Sequence, residues 1–491
     1  MEAIDANLMT KLDKESQKNI KSIDLMENAG ASMAKIISLM SPKNVLIILG
    51  SGGNAGDGLV VGRYLKASGI NTSIYRLSEI KNNDSIINYE RYNGNEIYNL
   101  DDIDSYDFII DALLGNGLNT PLKDSYIDVI NKINNSKAYK VSLDVPSGLN
   151  SNNGLSMGAY VKSDLTITVE YPKIGFFLND GLDAVSNFKI VKCGMNKASS
   201  LIHINEIDDF KSIIVKRKRN SNKSTYGRAS IIAGSLSFPG ASQISYNSLC
   251  AFMMGVGYSK LFVPKSLFNL YALRYPEVIV SGIDDDNGFI KYNEKILDDI
   301  MKSSDSISIG MGMGISEDLY KSVKYLINNY DKKLIIDADA INSISKYGSD
   351  ILLNHKADII MTPHPKEFSR LIGVDVKDIL ADPIKYSSDF SKKHNVTLIL
   401  KGASSVICDS MNLSINIYGT TGLAKGGSGD ALSGILTGAA AYLDINSYNV
   451  AAFSCFMLGY CAKISKLPYE SVRILDIIKE IPNVWKILNN S

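Results

Sequence analysis

Short runs rich in β-branched and apolar residues alternate with amphipathic stretches along most of this 491-residue chain, and that alternation restricts what it can fold into. A helix placed between two strands returns the chain to start the next strand in the same direction. Strands joined that way are parallel and need helices packed on their faces. In the first half, strand-like runs lie at 45–50, 71–77, 107–114, 139–144, 165–171 and 188–194, with helical stretches such as 59–67 and 126–133 between several of them. The pattern lapses over a polar tract at 195–225, which ends in Lys216-Arg217-Lys218-Arg219-Asn220-Ser221-Asn222-Lys223. That basic run reads as a solvated connector or, second, as a patch facing phosphate. A second series follows, with strands at 228–234, 259–263, 306–310, 333–337, 358–362, 397–401 and 405–408. Its helices lie at 241–254, 317–329, 383–394, 430–443 and 450–464. The halves share a class but no repeat, and the length exceeds what one core serves. Two α/β domains are predicted, 1–208 and 209–491.

Composition narrows the partners. Lys+Arg and Asp+Glu balance at 52 each, so no overall field draws nucleic acid or a membrane surface. Apolar runs such as 45–49 are far too short to span a bilayer, and the charged beginning of the chain lacks the apolar stretch of a secretory signal. The cysteines (Cys193, Cys250, Cys408, Cys455, Cys461) are sparse and odd in number, as expected of buried thiols in a reducing cytoplasm. The histidines (203, 355, 364, 394) form no ligand cluster, which argues against zinc. A cytoplasmic homo-oligomer acting on small molecules is expected.

The stretch Ala424-Lys425-Gly426-Gly427-Ser428-Gly429-Asp430 carries chemistry. Its glycines let backbone N–H groups approach an anion, and the apolar run that follows reads as a helix whose N-terminus suits a phosphate. A carboxylate there repels phosphate, so Asp430 is either a helix cap or a general base that takes a proton from a hydroxyl attacking the phosphate. Four further strand-to-helix segments join it: 234–241, 310–314, 337–342 and 362–367. In the first half, the loop at 50–58 is a tight turn or a phosphate loop. Asp111 and Asp144 emerge at strand ends, where a carboxylate must be paired, cation-bound or capping a helix. Asn54, Asp111 and Ser147 can offer oxygen to a hard cation, which leaves Asp144 for acid–base work.

Leu25-Met26-Glu27-Asn28-Ala29-Gly30, the glycine loop, 111–117 and 143–149, in that order, resemble the NAD(P)H-hydrate epimerase domain over roughly 1–205. The resemblance implies a Rossmann-like three-layer domain that interconverts the R and S hydrates of NADH or NADPH. It implies potassium at Asn54, Asp111 and Ser147, and substrate along Gly53, Asn54, Ala55, Gly56 and Asp57. Gly115, Asn116, Gly117, Leu118, Asn119, Thr120 and Pro121 would line its other side, with Asp144 beside the epimerised carbon. The family loop usually has Asn where this chain has Gly53 and Gly where it has Ala55.

The second half, from Lys223-Ser224-Thr225-Tyr226-Gly227 to Asp430, is similar to the NAD(P)H-hydrate dehydratase domain of the ribokinase-like superfamily over roughly 215–485. By that resemblance Lys401, Gly402, Ala403, Ser404, Ser405 and Gly429 contact the AMP part of the nucleotide, and Ala241, Gly312, His364 and Asp430 contact the hydrate. Asp430 would deprotonate the C6 hydroxyl for attack on ADP, taken with magnesium; AMP and phosphate would be the other products. ADP over ATP is carried by the resemblance alone. The rival reading is a vitamin or small-alcohol kinase of the same superfamily. It would share 426–430 but leave the first half unexplained.

Overall fold

A computed structural model describes residues 1–214, 216–241, 253–272 and 278–490. Most of the helix expected at 241–254, with Cys250, lies outside the described residues. The chain divides into two compact units, one of residues 2–203 and one of 204–491 with Met1; the division expected from sequence was at 208/209.

The first unit is built on a seven-stranded sheet. Its strands are β1 (Asn44–Leu49), β2 (Asn71–Arg76), β3 (Asn95–Ile97), β4 (Phe108–Ala112), β5 (Tyr139–Leu143), β6 (Leu165–Val169) and β7 (Phe188–Val191). They lie in the order β3-β2-β1-β4-β5-β6-β7, with every pairing parallel. After β1 the chain builds outward to one edge and then returns to place β4 on the other side. The gap between the C-terminal ends of β1 and β4 is therefore a topological switch point, where open parallel sheets bind ligands. Helix α1 (Ser22–Ser38) crosses α2 (Gly53–Ala67) at Gly30, where a Cβ would fall 2.5 Å from that of Val60. Glycine is required there for the close approach. α2 starts at Gly53, earlier than the expected 59, so Asn54 and Asp57 sit on its opening turns. Its glycines lower helix propensity, but burial of Ala55, Leu59, Val60 and Val61 outweighs that preference.

The second unit contains β8 (Arg228–Ile232), β9 (Tyr258–Pro264), β10 (Ile279–Ile283), β11 (Ser306–Ile309), β12 (Lys333–Ile336), β13 (Asp358–Met361), β14 (Thr397–Leu400), β15 (Ser405–Cys408) and β16 (Leu413–Asn416). Their order is β16-β15-β14-β13-β12-β11-β8-β9-β10. Pairings from β10 to β14 are parallel, and β14-β15-β16 is an antiparallel meander. Helices α3 (Glu317–Asn329) and α4 (Pro383–His394) match the expected bounds, and α5 (Ser428–Tyr442) and α6 (Ser447–Ile464) begin two or three residues earlier than expected. α5 and α6 are apolar almost all round and form the middle of the core. Phe210, in the polar tract that separates the two series, is part of that core: its ring stacks on Phe456 at 4.6 Å. Among the described residues no helix is long and apolar enough to cross a membrane.

Candidate active sites

At the switch point of the first unit lies a cavity of about 570 Å³, lined by Gly53, Asn54 and Asp57 from α2, by residues 115–120, and by Asp144 after β5. Three residues of the expected site do not line it. Ala55 is fully buried in the core, and a Cβ on Gly56 would run into Met26 Sδ and Ser85 Oγ. Pro121 follows the lining residues.

Asp111 is fully buried at the end of β4. Its carboxylate accepts from Ser142 Oγ (2.8 Å), Ser147 N (2.8 Å) and Ser147 Oγ (2.5 Å). It caps no helix. Burial pushes its pKa up against those hydrogen bonds, and among the described residues no Lys or Arg forms an ion pair with it. Ser147 Oγ also meets the backbone of Leu114, whose carbonyl accepts from Asn54 Nδ2 at 2.9 Å. Asn54 Oδ1 is buried and has no hydrogen-bond partner. A buried carboxylate without a counter-charge beside an orphaned amide oxygen is an arrangement that a desolvated monovalent cation satisfies.

Asp144 caps no helix either. Its Oδ1 accepts from Lys173 Nζ at 2.5 Å, Val169 N at 3.2 Å and Thr168 Oγ1 at 3.3 Å. Asp57 shares the cavity. Burial first, then the neighbouring Asp144 and Asp13, hold its carboxyl well above the usual range. One cavity thus holds a carboxylate clamped by an ammonium and a second carboxyl whose pKa is raised, two unlike groups placed where a proton could be taken and given.

The second site gathers at the C-terminal ends of β8, β11, β12, β13 and β14. Gly312 has φ +61°, and a Cβ on it would lie 2.6 Å from that of Ala241, so the segments at 234–241 and 310–314 converge. Asp430 stands in the first turn of α5, whose cap is Gly427 at φ +95°. It is therefore no N-cap, and its carboxyl is free for chemistry. Burial raises its pKa to about 7, helped by the charges of Asp337 and Asp339 and opposed by Lys401. A base of that strength is suited to working at neutral pH.

Behind it lies a buried ionic cluster. Lys401 Nζ donates to Asp337 Oδ1 at 3.0 Å and stands 4.0 Å from Glu367 Oε2. Burial would push the pKa of Asp337 up, but Lys401 and a hydrogen bond from Ser433 hold it below the usual value. Ser433 Oγ, on α5, reaches Asp337 Oδ2 at 2.7 Å and so fixes the turn that carries Asp430. His364 caps the next helix (Pro365–Ile372): its Nδ1 accepts from Lys366 N and Glu367 N. Burial, with Lys401 and Arg370, lowers its pKa and so favours the neutral ring, in which an accepting Nδ1 leaves the proton on Nε2. The strand-to-strand turn at 401–405 is tied to the His364 loop by Lys401 N→Pro363 O at 2.9 Å. Ser404 Oγ is buried without a partner, and a Cβ on Gly429 would lie 3.3 Å from Lys401 Nζ.

Lys173, Asp337 and Glu367 carry much of this electrostatics, and sequence reasoning assigned them no role. Asp337 and Glu367 lay in motifs already singled out. Lys173 gave no signal, because its partner Asp144 is 29 residues away.

The sequence model of the YjeF-related protein N-terminus matches residues 22–175, and that of the NAD(P)H-hydrate dehydratase matches residues 229–483. A bifunctional NAD(P)H-hydrate repair enzyme of Thermofilum pendens is 31% identical over 87% of this chain and 84% of its own. Its counterpart in Archaeoglobus fulgidus is 30% identical over 93% of both. Among solved structures, the ADP/ATP-dependent NAD(P)H-hydrate dehydratase of Bacillus subtilis superposes with a TM-score of 0.51 at 23% identity. It covers 58% of this chain and 99% of its own, which supports the fold of the second unit. A ribokinase-like protein of Enterococcus faecalis superposes with a TM-score of 0.50 at 22% identity, over 59% of this chain and 97% of its own. With both halves matched in order and relatives aligned over most of their length, the chain belongs to the bifunctional NAD(P)H-hydrate repair enzymes.

Proposed function

We propose that the first unit epimerises the R and S hydrates of NADH and NADPH, and that the second dehydrates the S form at the expense of ADP. The observation that carries the reading is Asp430: a carboxyl held near neutrality by burial, in the first turn of a helix whose N-terminus suits phosphate. Its carboxylate takes the proton of the C6 hydroxyl, and that oxygen attacks the terminal phosphoryl group of ADP, releasing AMP. The ester then leaves as phosphate as the ring nitrogen lone pair forms N1=C6. Loss of a C5 proton to the phosphate restores the dihydropyridine. Ala241, Gly312 and the Nε2–H of His364 border the hydrate, while Gly429 and residues 401–405 border the AMP part. ADP is taken as its magnesium complex, so that metal enters with the substrate.

In the first unit, Asp144 accepts the C6 hydroxyl proton as the C6–N1 bond opens to an aldehyde, and Asp57, whose raised pKa favours the acid form, gives a proton to N1. Rotation about C5–C6 and the reverse steps close the ring on the other face. Asn54, Asp111 and Ser147 would hold potassium, which supplies the positive charge that buried Asp111 lacks.

A mixture of both NADH hydrate epimers, incubated with ADP, tests the reading through recovery of dihydronicotinamide absorbance. The wild-type enzyme runs to completion. Asp430→Asn loses about 10²–10⁴ in dehydration rate and keeps epimerising. Asp144→Asn consumes the S form and stalls at the rate of spontaneous epimerisation. An Asp144→Asn enzyme that clears both epimers at the wild-type rate overturns the division of labour.

A further inference from the structure

The side chain of Lys173 is fully buried, and the residue is absent from the lining of the cavity beside it. It cannot touch a ligand there. All its recorded bonds turn inward: Nζ donates to Asp144 Oδ1 at 2.5 Å, Thr168 Oγ1 at 2.9 Å, and the carbonyls of Val169 and Tyr171 at 3.2 Å each. The segment is clamped at both sides, by Ile4 N→Pro172 O (2.9 Å) and Ile174 N→Ile4 O (3.1 Å). A buried ammonium is costly unless paired, and losing its partner leaves an uncompensated charge.

Asp144 has φ +61°, a left-handed conformation that a non-glycine residue keeps only when its surroundings impose it. Its Oδ1 receives Lys173 Nζ, Val169 N and Thr168 Oγ1. Oδ2 points instead toward the Gly115 loop, 3.9 Å from where a Cβ on that glycine would stand, and so into the cavity. The other titratable side chains lining the cavity besides Asp144, among them Asp57 and Asp13, are acidic. Among the described residues Lys173 is the cation within ion-pair distance of Asp144.

We propose that Lys173 is the positioning residue of the first site: it locks one oxygen of Asp144 and aims the other at the substrate. The inference rests on the epimerase reading of this cavity. One oxygen saturated and the other free is what a base needs to accept a proton along a fixed line.

The full-length enzyme tests it, with epimerisation of purified R NADH hydrate followed from mildly acidic to mildly basic pH after subtraction of the spontaneous rate. Wild-type turnover comes first, and its absence would refute the reading of the site rather than this inference. Given turnover, Lys173→Met should lower kcat about 10²-fold with little change in KM. It should also move the acid limb of kcat/KM to higher pH, since the carboxylate loses the ammonium it is paired with. Thr168→Val removes only the hydroxyl that both side chains share, and should move the limb the same way by less. It decides the matter if Lys173→Met does not fold. A limb that stays in place in the folded variants, or a loss confined to KM, overturns the proposal.

Discussion

Asp430→Asn should stabilise the second unit even as it destroys its activity. Folding raises the pKa of this carboxyl from 3.8 to about 7, so the folded state binds the proton more tightly than the unfolded one. Wild-type stability is therefore unaffected below about pH 4, falls as the pH rises through this window, and stays lowered above it. The full difference corresponds to about 4 kcal/mol. Solvent reaching the part-exposed side chain screens the field and brings the expected effect to about 2 kcal/mol. Asn keeps the shape and carries no charge to bury, so it escapes the loss. Melting of full-length protein without nucleotide, at about pH 8 and about pH 4.5, checks this; the transition that added ADP displaces belongs to the second unit. At the higher pH the variant should melt roughly 4–8 °C above wild type, and at the lower pH the gap should nearly close. A variant no more stable than wild type at high pH, or equally favoured at both, would refute the claim that Asp430 is ionised at a folding cost.

Asp337→Asn keeps the acceptor for Ser433 but removes the charge that raises the pKa of Asp430 most. The acid limb of the dehydration kcat/KM should move to lower pH, and a limb that stays or rises would contradict the assigned coupling. Asp111→Ala should lower epimerisation and abolish its response to potassium while dehydration stays at the wild-type rate. Should epimerisation respond to potassium as in wild type, the cation sits elsewhere.

What could be read from the chain and what could not divide along a physical line. α3 and α4 were bounded correctly because their ends carry local signals: Ser316 caps the first, and Pro383 opens the second, which closes on His394 and a left-handed Asn395. β10 escaped notice although Ile279, Val280 and Ile283 are β-branched: it is a short edge strand broken by Ser281 and Gly282. β16 is four residues long behind a turn of Asp409, Met411 and Asn412, and its strand character comes from pairing with β15. Asp111, Asp144 and Asp430 stood out because parallel α/β sheets bring strand ends and helix starts to the ligand, and carboxylates there have few structural excuses. The groups that tune them have no such address. Lys173 sits in a Tyr-Pro-Lys-Ile sequence that looks like a solvated turn, and only packing makes it an ammonium sealed against Asp144. Asp337 meets Lys401 across 64 residues and Ser433 across 96. A proton acceptor is recognisable by its place along the chain, whereas its pKa belongs to distances that only the folded protein creates. The rates at both sites should therefore be most sensitive to substitutions at residues that the motifs leave unmarked.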